Sequence, residues 1–327
     1  MAKQHSSDVA VVGAGIVGLA CAWRLAERGV SVTVVDRGVP GAGASSVAAG
    51  MLAPVGEASW GEERLLALNL ESARLFGAFA GELEAAAGLP VPYRACGALH
   101  VAADRDEAEE LRRHLELHRA RGLESTWLTP SECRELEPGL APGAGPGLLA
   151  VEEAEIDPRM LLAALVAACG RSGVEVISGA EVVELRVGNA VEGLLLADGR
   201  ELGCPSVVAA TGAWSGSGEW LPPDARPPVR PVKGEAVRLR GSAEEPVIGH
   251  IVAAERIYLV PRADGELVVG ATVEERGFDV SVTASGVHEL LREAYRIVPD
   301  TAELEFVEAR AGLRPGTPDN APVIGRA

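Results

Sequence analysis

Lysine is nearly missing from this 327-residue chain: Lys3 and Lys233 are the only two, so 28 of its 30 basic residues are arginines. With 39 glycines and abundant alanine, the shortage reads as a compositional bias, and it singles out Lys233. Basic charge is outnumbered as well: 47 acidic residues against 30 basic ones leave a net charge of −17. That balance excludes non-specific binding to nucleic acid or to an anionic membrane, while leaving room for a local basic pocket. The five cysteines (Cys21, Cys96, Cys133, Cys169, Cys204) form no CxxC pair, which excludes a paired-cysteine zinc site or a redox dithiol. Scattered thiols fit a reducing compartment. There is no charged and apolar leader with a cleavage site, and glycine or charge breaks every long apolar run. Neither a signal peptide nor a spanning helix is expected, and the expected location is cytoplasmic. The six histidines lie outside the motifs described next, so no Ser–His–Asp or Cys–His constellation is expected. A content of 47% hydrophobic and 24% charged residues is that of a globular chain, long enough for about two domains.

What is present begins with DVAVVGAGIVGLACAWRLAERGVSVTVVDR, residues 8–37. An apolar strand (Val9–Val12) runs into Gly13-x-Gly15-x-x-Gly18. A helix with apolar residues at helical spacing follows, then Gly29, a second strand at 30–35, and Asp36 at its carboxyl end. This is a complete dinucleotide-binding βαβ unit. Gly13 permits the tight turn, Gly15 lets a pyrophosphate approach the backbone, and Gly18 allows close helix–strand packing. The helix N-terminus, at Ile16 and Val17, offers unpaired N–H groups to phosphate. Asp36, with Arg37 beside it, is placed to accept from a ribose diol, which favours FAD or NAD over NADP.

Beyond this unit, a small-residue loop (38–50) precedes Met51. A helical stretch carries Leu65, Leu66, Leu68, Leu70, Leu75, Phe76, Phe79 and Leu83, expected to bury one face. A strand at 93–102, a helix at 105–122 and a short helix at 130–137 capped by Thr129 or Ser131 follow. Asp157-Pro158 caps another helix, leading into a strand at 174–177. Residues 181–187 and 191–196 read as a hairpin, followed by the turn Asp198-Gly199. A short strand at 207–210 ends at Thr211-Gly212-Ala213-Trp214, as strands facing a ligand crevice do. From 222 to 280 the pattern is strand and turn: 231–240, 257–261 and 266–270, with Asp264-Gly265 as a hairpin turn. A helix at 287–297 and a strand at 303–311 complete the reading.

The fingerprint GAGIVG, then ASSVAAGML, the Asp157-Pro158 helix, VVAATGAWS, PVKGE, YLVPR, GELVVGAT and AGLRPGTPDNAPVIG occur in this order. That succession resembles the FAD-dependent amine and D-amino-acid oxidase superfamily, and most of all the glycine oxidases of thiamine thiazole biosynthesis. The resemblance covers nearly the whole chain. It implies an α/β fold of the glutathione-reductase type, a Rossmann-like FAD-binding domain interwoven with an antiparallel substrate domain. The expected segments are 1–76, 147–218 and 306–327 for FAD and 77–146 and 219–305 for substrate. It implies that Gly13, Gly15, Ile16, Val17, Gly18, Asp36 and Arg37 hold the adenosine diphosphate. Ser45 and Ser46 would bond phosphate or flavin, with Ala49, Gly50 and Met51 against the ring. Val182 would lie near adenine, and Thr211, Gly212 and Trp214 beside the cofactor.

Arg314 is implied to grip the substrate carboxylate with its planar fork, and Tyr258 to bond the same group from the opposite sheet. Val273 is expected to shape the pocket, and Lys233 is given no catalytic part. The implied reaction is hydride transfer from an amino acid to flavin N5. It yields an imine, then a 2-oxo acid and ammonia, with peroxide from oxygen. The implied partners are a small amino acid, oxygen, further copies of the chain and a thiazole synthase receiving the product. Family members continue past the position matching Ala327, so the resemblance also implies a C-terminally truncated chain lacking part of the flavin sheet. A sarcosine oxidase-like enzyme, a quinone-linked D-amino-acid dehydrogenase and a non-catalytic FAD-binding fragment stay open as alternatives. The charge of −17 argues against a tRNA-modifying relative.

Overall fold

The computed structural model describes residues 5–327; Lys3 and the first residues of the expected 1–76 segment lie outside the described residues. Two short strands, Val9–Val12 and Val32–Val35, apolar but for Thr33, are almost wholly buried, as strands of a sheet covered on both faces must be. They form the centre of a four-stranded parallel sheet in the order Glu175–Ile177, Val32–Val35, Val9–Val12, Val207–Ala209. On one face pack the helices Ile16–Ala26, Glu63–Ala87 and Pro158–Arg171. Trp23, fully buried, meets Phe79 edge-on there at 5.6 Å. The other face is covered by a small sheet of His5–Ser6, Glu201–Gly203, Val191–Leu196 and Val182–Val187, through Leu194, Leu196 and Leu202. The expected fold class is borne out.

The helix Glu63–Ala87 corrects one expectation. Leu66 and Leu83 are buried, but Leu68, Leu70 and Leu75 are exposed. Leucines at 65, 66, 68 and 70 point around the whole helix at about 100° per residue, so one face cannot take them all.

An eight-stranded mixed sheet forms the second layer system. Its order is Glu305–Gly316, Arg230–Arg240, Glu266–Gly270, Ile257–Pro261, Ile251–Ala254, Ala98–Val101, Gly147–Ala150, Thr126–Leu128. Only the pairing of Ile251–Ala254 with Ala98–Val101 is parallel. The helix Ala284–Ile297 covers it with Leu290, Ala294 and Ile297. Gly147–Ala150 and Glu305–Gly316 belong to this sheet rather than to the Rossmann sheet, and residue 76 falls inside one continuous helix. The expected strand at 93–102 is two strands, Tyr93–Arg94 and Ala98–Val101. The first of these joins Ala154–Ile156 and Met51–Leu52 in a three-stranded sheet beside the crevice. Among the described residues, no helix is long and apolar enough to cross a membrane.

Candidate active site

The carboxyl ends of Val9–Val12, Val32–Val35 and Val207–Ala209 lie side by side in the parallel sheet, and the fingerprint glycines at this edge have separate tasks. Gly13 has φ +110°, a region closed to most side chains, and a Cβ there would overlap the carbonyl of Ala210. A Cβ on Gly18 would overlap the carbonyl of Gly13. Gly15 differs: its nearest neighbour would be Ser45 Oγ at 3.4 Å, so the backbone there is open to approach. Next to it the Ile16 N–H, at the helix N-terminus, donates to Ser45 Oγ at 3.1 Å. The Val17 side chain is exposed. An open glycine at a positive helix end fits a pyrophosphate.

Asp36 accepts from the Ala14 N–H and the Gly38 N–H, both at 2.7 Å, one on each oxygen. Each oxygen keeps a further lone pair for a ribose hydroxyl. Arg37 lies over the Trp214 ring at 4.3 Å, and Trp214 stacks on Phe278 at 5.7 Å. Thr211 Oγ1 bonds Ser215 Oγ at 3.0 Å, and Gly212 borders open space. Ser46 is occupied locally: its hydroxyl donates to Gly43 and its carbonyl accepts from Arg159 Nε at 2.9 Å. Val182 is buried with Ala10, Val35, Ala180 and Leu196, so its side chain belongs to the core.

The Ala49–Met51 turn is pinned from several sides. Gly50, at φ +75°, lies where a Cβ would overlap the Ile156 carbonyl, and its own carbonyl accepts from the Ile156 N–H at 2.9 Å. Arg262, almost fully buried, donates to the Ala49 carbonyl and pairs with Glu155, which also accepts from Arg94 Nε at 3.1 Å. Burial pulls the Arg262 guanidinium down to about 10. Sequence reasoning missed Arg262 and Glu155. The signal available was a charged residue closing an otherwise apolar strand, IYLVPR, and an alternating EEAEI.

The two candidate substrate residues come together. Ala49, Met51 and Tyr258 pack in one apolar cluster with Val260 and Val268. Tyr258 lies beside Arg314; burial pushes its phenol up, and Arg314 partly offsets that. The Arg314 guanidinium occupies the space above Gly234 and donates from Nη1 to the Thr272 carbonyl at 3.1 Å. Two residues earlier, Gly312 abuts Val47 and Ala44 of the cofactor loop. Lys233 is 0% exposed, with Nζ 2.8 Å from Glu235 and 3.4 Å from Glu274. Glu235 also accepts from Thr283, so Lys233 ties the 272–283 loop to the sheet under Arg314, in a structural part. Val273 on that loop is 75% exposed. Glu57, Glu153 and His100 form a further group of ionisable residues that was not foreseen.

The model of the FAD dependent oxidoreductase family matches residues 8–327. The chain is 35% identical to the glycine oxidase of Geobacillus kaustophilus over 326 residues, covering 98% of this chain and 84% of that relative. The crystal structure of glycine oxidase from that organism superposes with a TM-score of 0.91 at 34% identity, over 99% of this chain and 86% of that one. The bifunctional protein ThiO/ThiG of Trichormus variabilis is 34% identical over 97% of this chain, which spans 47% of the relative. A putative thiamine biosynthesis oxidoreductase ThiO of Rhizobium etli is 35% identical over 97% of this chain and 86% of its own length. A family match running from the fingerprint strand to Ala327, on a crevice shaped for a dinucleotide, shows that this chain belongs to the FAD dependent oxidoreductase family.

Proposed function

We propose that the chain oxidises glycine, or another amino acid with a small side chain, at its C–N bond. The products are an imine, which hydrolyses to a 2-oxo acid and ammonia, and hydrogen peroxide. The observation that carries this reading is the pairing of Arg314 with Tyr258 beside the Ala49–Met51 turn. Bound FAD supplies a two-electron acceptor for the hydride and a route for those electrons to oxygen. Gly13, Gly15, Gly18, Ile16, Ser45 and Asp36 are the residues that would hold it. Arg314 presents a fork to the substrate carboxylate. Tyr258 stays a protonated phenol at neutral pH, because its burial raises the pKa, and so donates to the same carboxylate. Space above Gly234 and Gly270 lets these two side chains lie flat against the sheet. The names of the ThiO relatives support a role in supplying the thiamine thiazole, and the fused ThiO/ThiG relative supports a hand-off to thiazole synthase.

The test is anaerobic addition of glycine to the FAD-loaded protein. Bleaching of the flavin band is the expected result. Bleaching by sarcosine or D-amino acids but not by glycine would move the substrate assignment. Failure with every amine would remove the oxidase reading.

A further inference from the structure

An amino acid reaches such a site as a zwitterion, yet hydride leaves the α-carbon only when the nitrogen lone pair is free. A proton must therefore leave the ammonium group. Arg314 and Tyr258 are donors, and neither is in a state to take it. Glu57 is. It stands on the turn 53–58, solvent-accessible while its neighbours Val55 and Ala58 are buried, within electrostatic reach of both Arg314 and Tyr258.

The floor under Glu57 is built from ionisable groups that the carboxylate grip does not use. The Gly56 N–H donates to Glu153, which is 0% exposed. A side chain at Gly56 would overlap the His100 ring and crowd Glu153. Glu153 Oε2 and His100 Nε2 are buried without hydrogen-bond partners, and lie 3.8 Å apart. Behind them His118 is buried, its Nδ1 2.9 Å from Ser125 Oγ, with His114 edge-on to it at 6.4 Å. Glu153 and His100 thus lie against the Gly56–Glu57 turn, and His100, Ala253 and Tyr258 stand in register on three neighbouring strands, so the turn rests on the sheet face that carries Tyr258 and its neighbour Arg314. Partial desolvation beside this floor and the like charge of Glu153 push the Glu57 carboxyl up, and His100 and Arg314 pull it back in part. A carboxylate with a raised pKa is a better proton acceptor at neutral pH than an ordinary one.

We propose that Glu57 accepts the proton of the substrate's α-ammonium group while Arg314 and Tyr258 hold its carboxylate. The N–H bond breaks with its electron pair left on nitrogen, and an O–H bond forms on Glu57. The carboxyl then returns the proton to water through the open crevice. This rests on the reading of Arg314 and Tyr258 given above, and the experiment separates the two.

The FAD-loaded protein and its Glu57→Gln, Glu57→Asp and Arg314→Ala variants are compared in kcat/KM for glycine across pH and in calorimetric binding of acetate. Acetate carries the carboxylate without the amine. The expected wild-type profile is flat through neutral pH. Glu57→Gln should instead climb about tenfold per pH unit up to the pKa of free glycine's amine, where it meets the wild type. Its acetate affinity should be unchanged, and Glu57→Asp should recover most of the neutral-pH rate. A Glu57→Gln profile parallel to the wild type, whether slowed or not, would overturn the proposal while leaving Arg314 in place. Acetate binding that survives Arg314→Ala would instead overturn the carboxylate reading, and this proposal with it.

Discussion

At the scale of single residues, the three fingerprint glycines make separable predictions. Gly13→Ala and Gly18→Ala place a methyl on backbone atoms, so both should unfold at lower temperature even without FAD. Gly15→Ala meets only Ser45 Oγ at 3.4 Å; its melting temperature should stay close to the parent's while FAD affinity, measured by flavin fluorescence titration, falls. Arg314→Ala should raise KM for glycine by about 100-fold, as expected for a lost charged bidentate contact worth about 3 kcal/mol. An unchanged KM would remove Arg314 from the site. These residues were legible because each sits in a motif whose spacing carries its own geometry. Glu57, Glu153 and His100 were not. They come from segments up to 96 positions apart, 153 minus 57, and only the fold of the intervening strands makes them neighbours.

Among elements, local chemistry was read well where it is local. Asp157 caps its helix by accepting from the Arg159 and Met160 N–H groups at 2.7 and 3.1 Å, with Pro158 in the first turn. Thr129 and Glu132 form a reciprocal capping box, settling the choice left between Thr129 and Ser131. Asp157→Ala should cost about 1 kcal/mol of stability in urea unfolding. Strand pairing was less legible: IVAA at 251–254 gave no signal of its own, and Glu305–Gly316 runs five residues past its expected end, 316 against 311, because Arg230–Arg240 pairs with it throughout. The Arg262–Glu155 pair belongs to this scale, since it joins three segments at the Ala49–Met51 turn. Arg262→Met leaves the buried Glu155 carboxylate with Arg94 as its remaining cationic partner, an effect approaching the roughly 3–5 kcal/mol of a broken buried pair. A large drop in the urea midpoint is expected, together with weaker FAD binding from the loosened Ala49 carbonyl.

For the whole molecule, composition bounded size and class but gave no arrangement: the division into a parallel sheet and an eight-stranded sheet follows from pairings between strands far apart in sequence. The cysteine reading extends to reactivity. Burial pushes Cys133 and Cys169 up to about 11 and raises Cys21, Cys96 and Cys204 as well. The native protein should react slowly with a thiol reagent at about pH 8, and all five cysteines should react once it is denatured. Acid sensitivity has a definite sign too. His118 and His114 are held below the ordinary imidazole value of 6.5, chiefly by burial. The unfolded chain therefore takes up protons there first. Their contribution to stability is intact above 6.5 and is lost as pH falls through their lower folded values. Melting temperature should drop between about pH 7 and pH 5, and by less in His114→Gln. The stack of Arg37, Trp214 and Phe278 adds an optical property. Its indole lies near Gly43 of the cofactor loop, and indole emission overlaps the absorption of any flavin seated beside it. Excited at the red edge, the protein should darken as FAD binds and brighten as it leaves, reporting occupancy with no label attached.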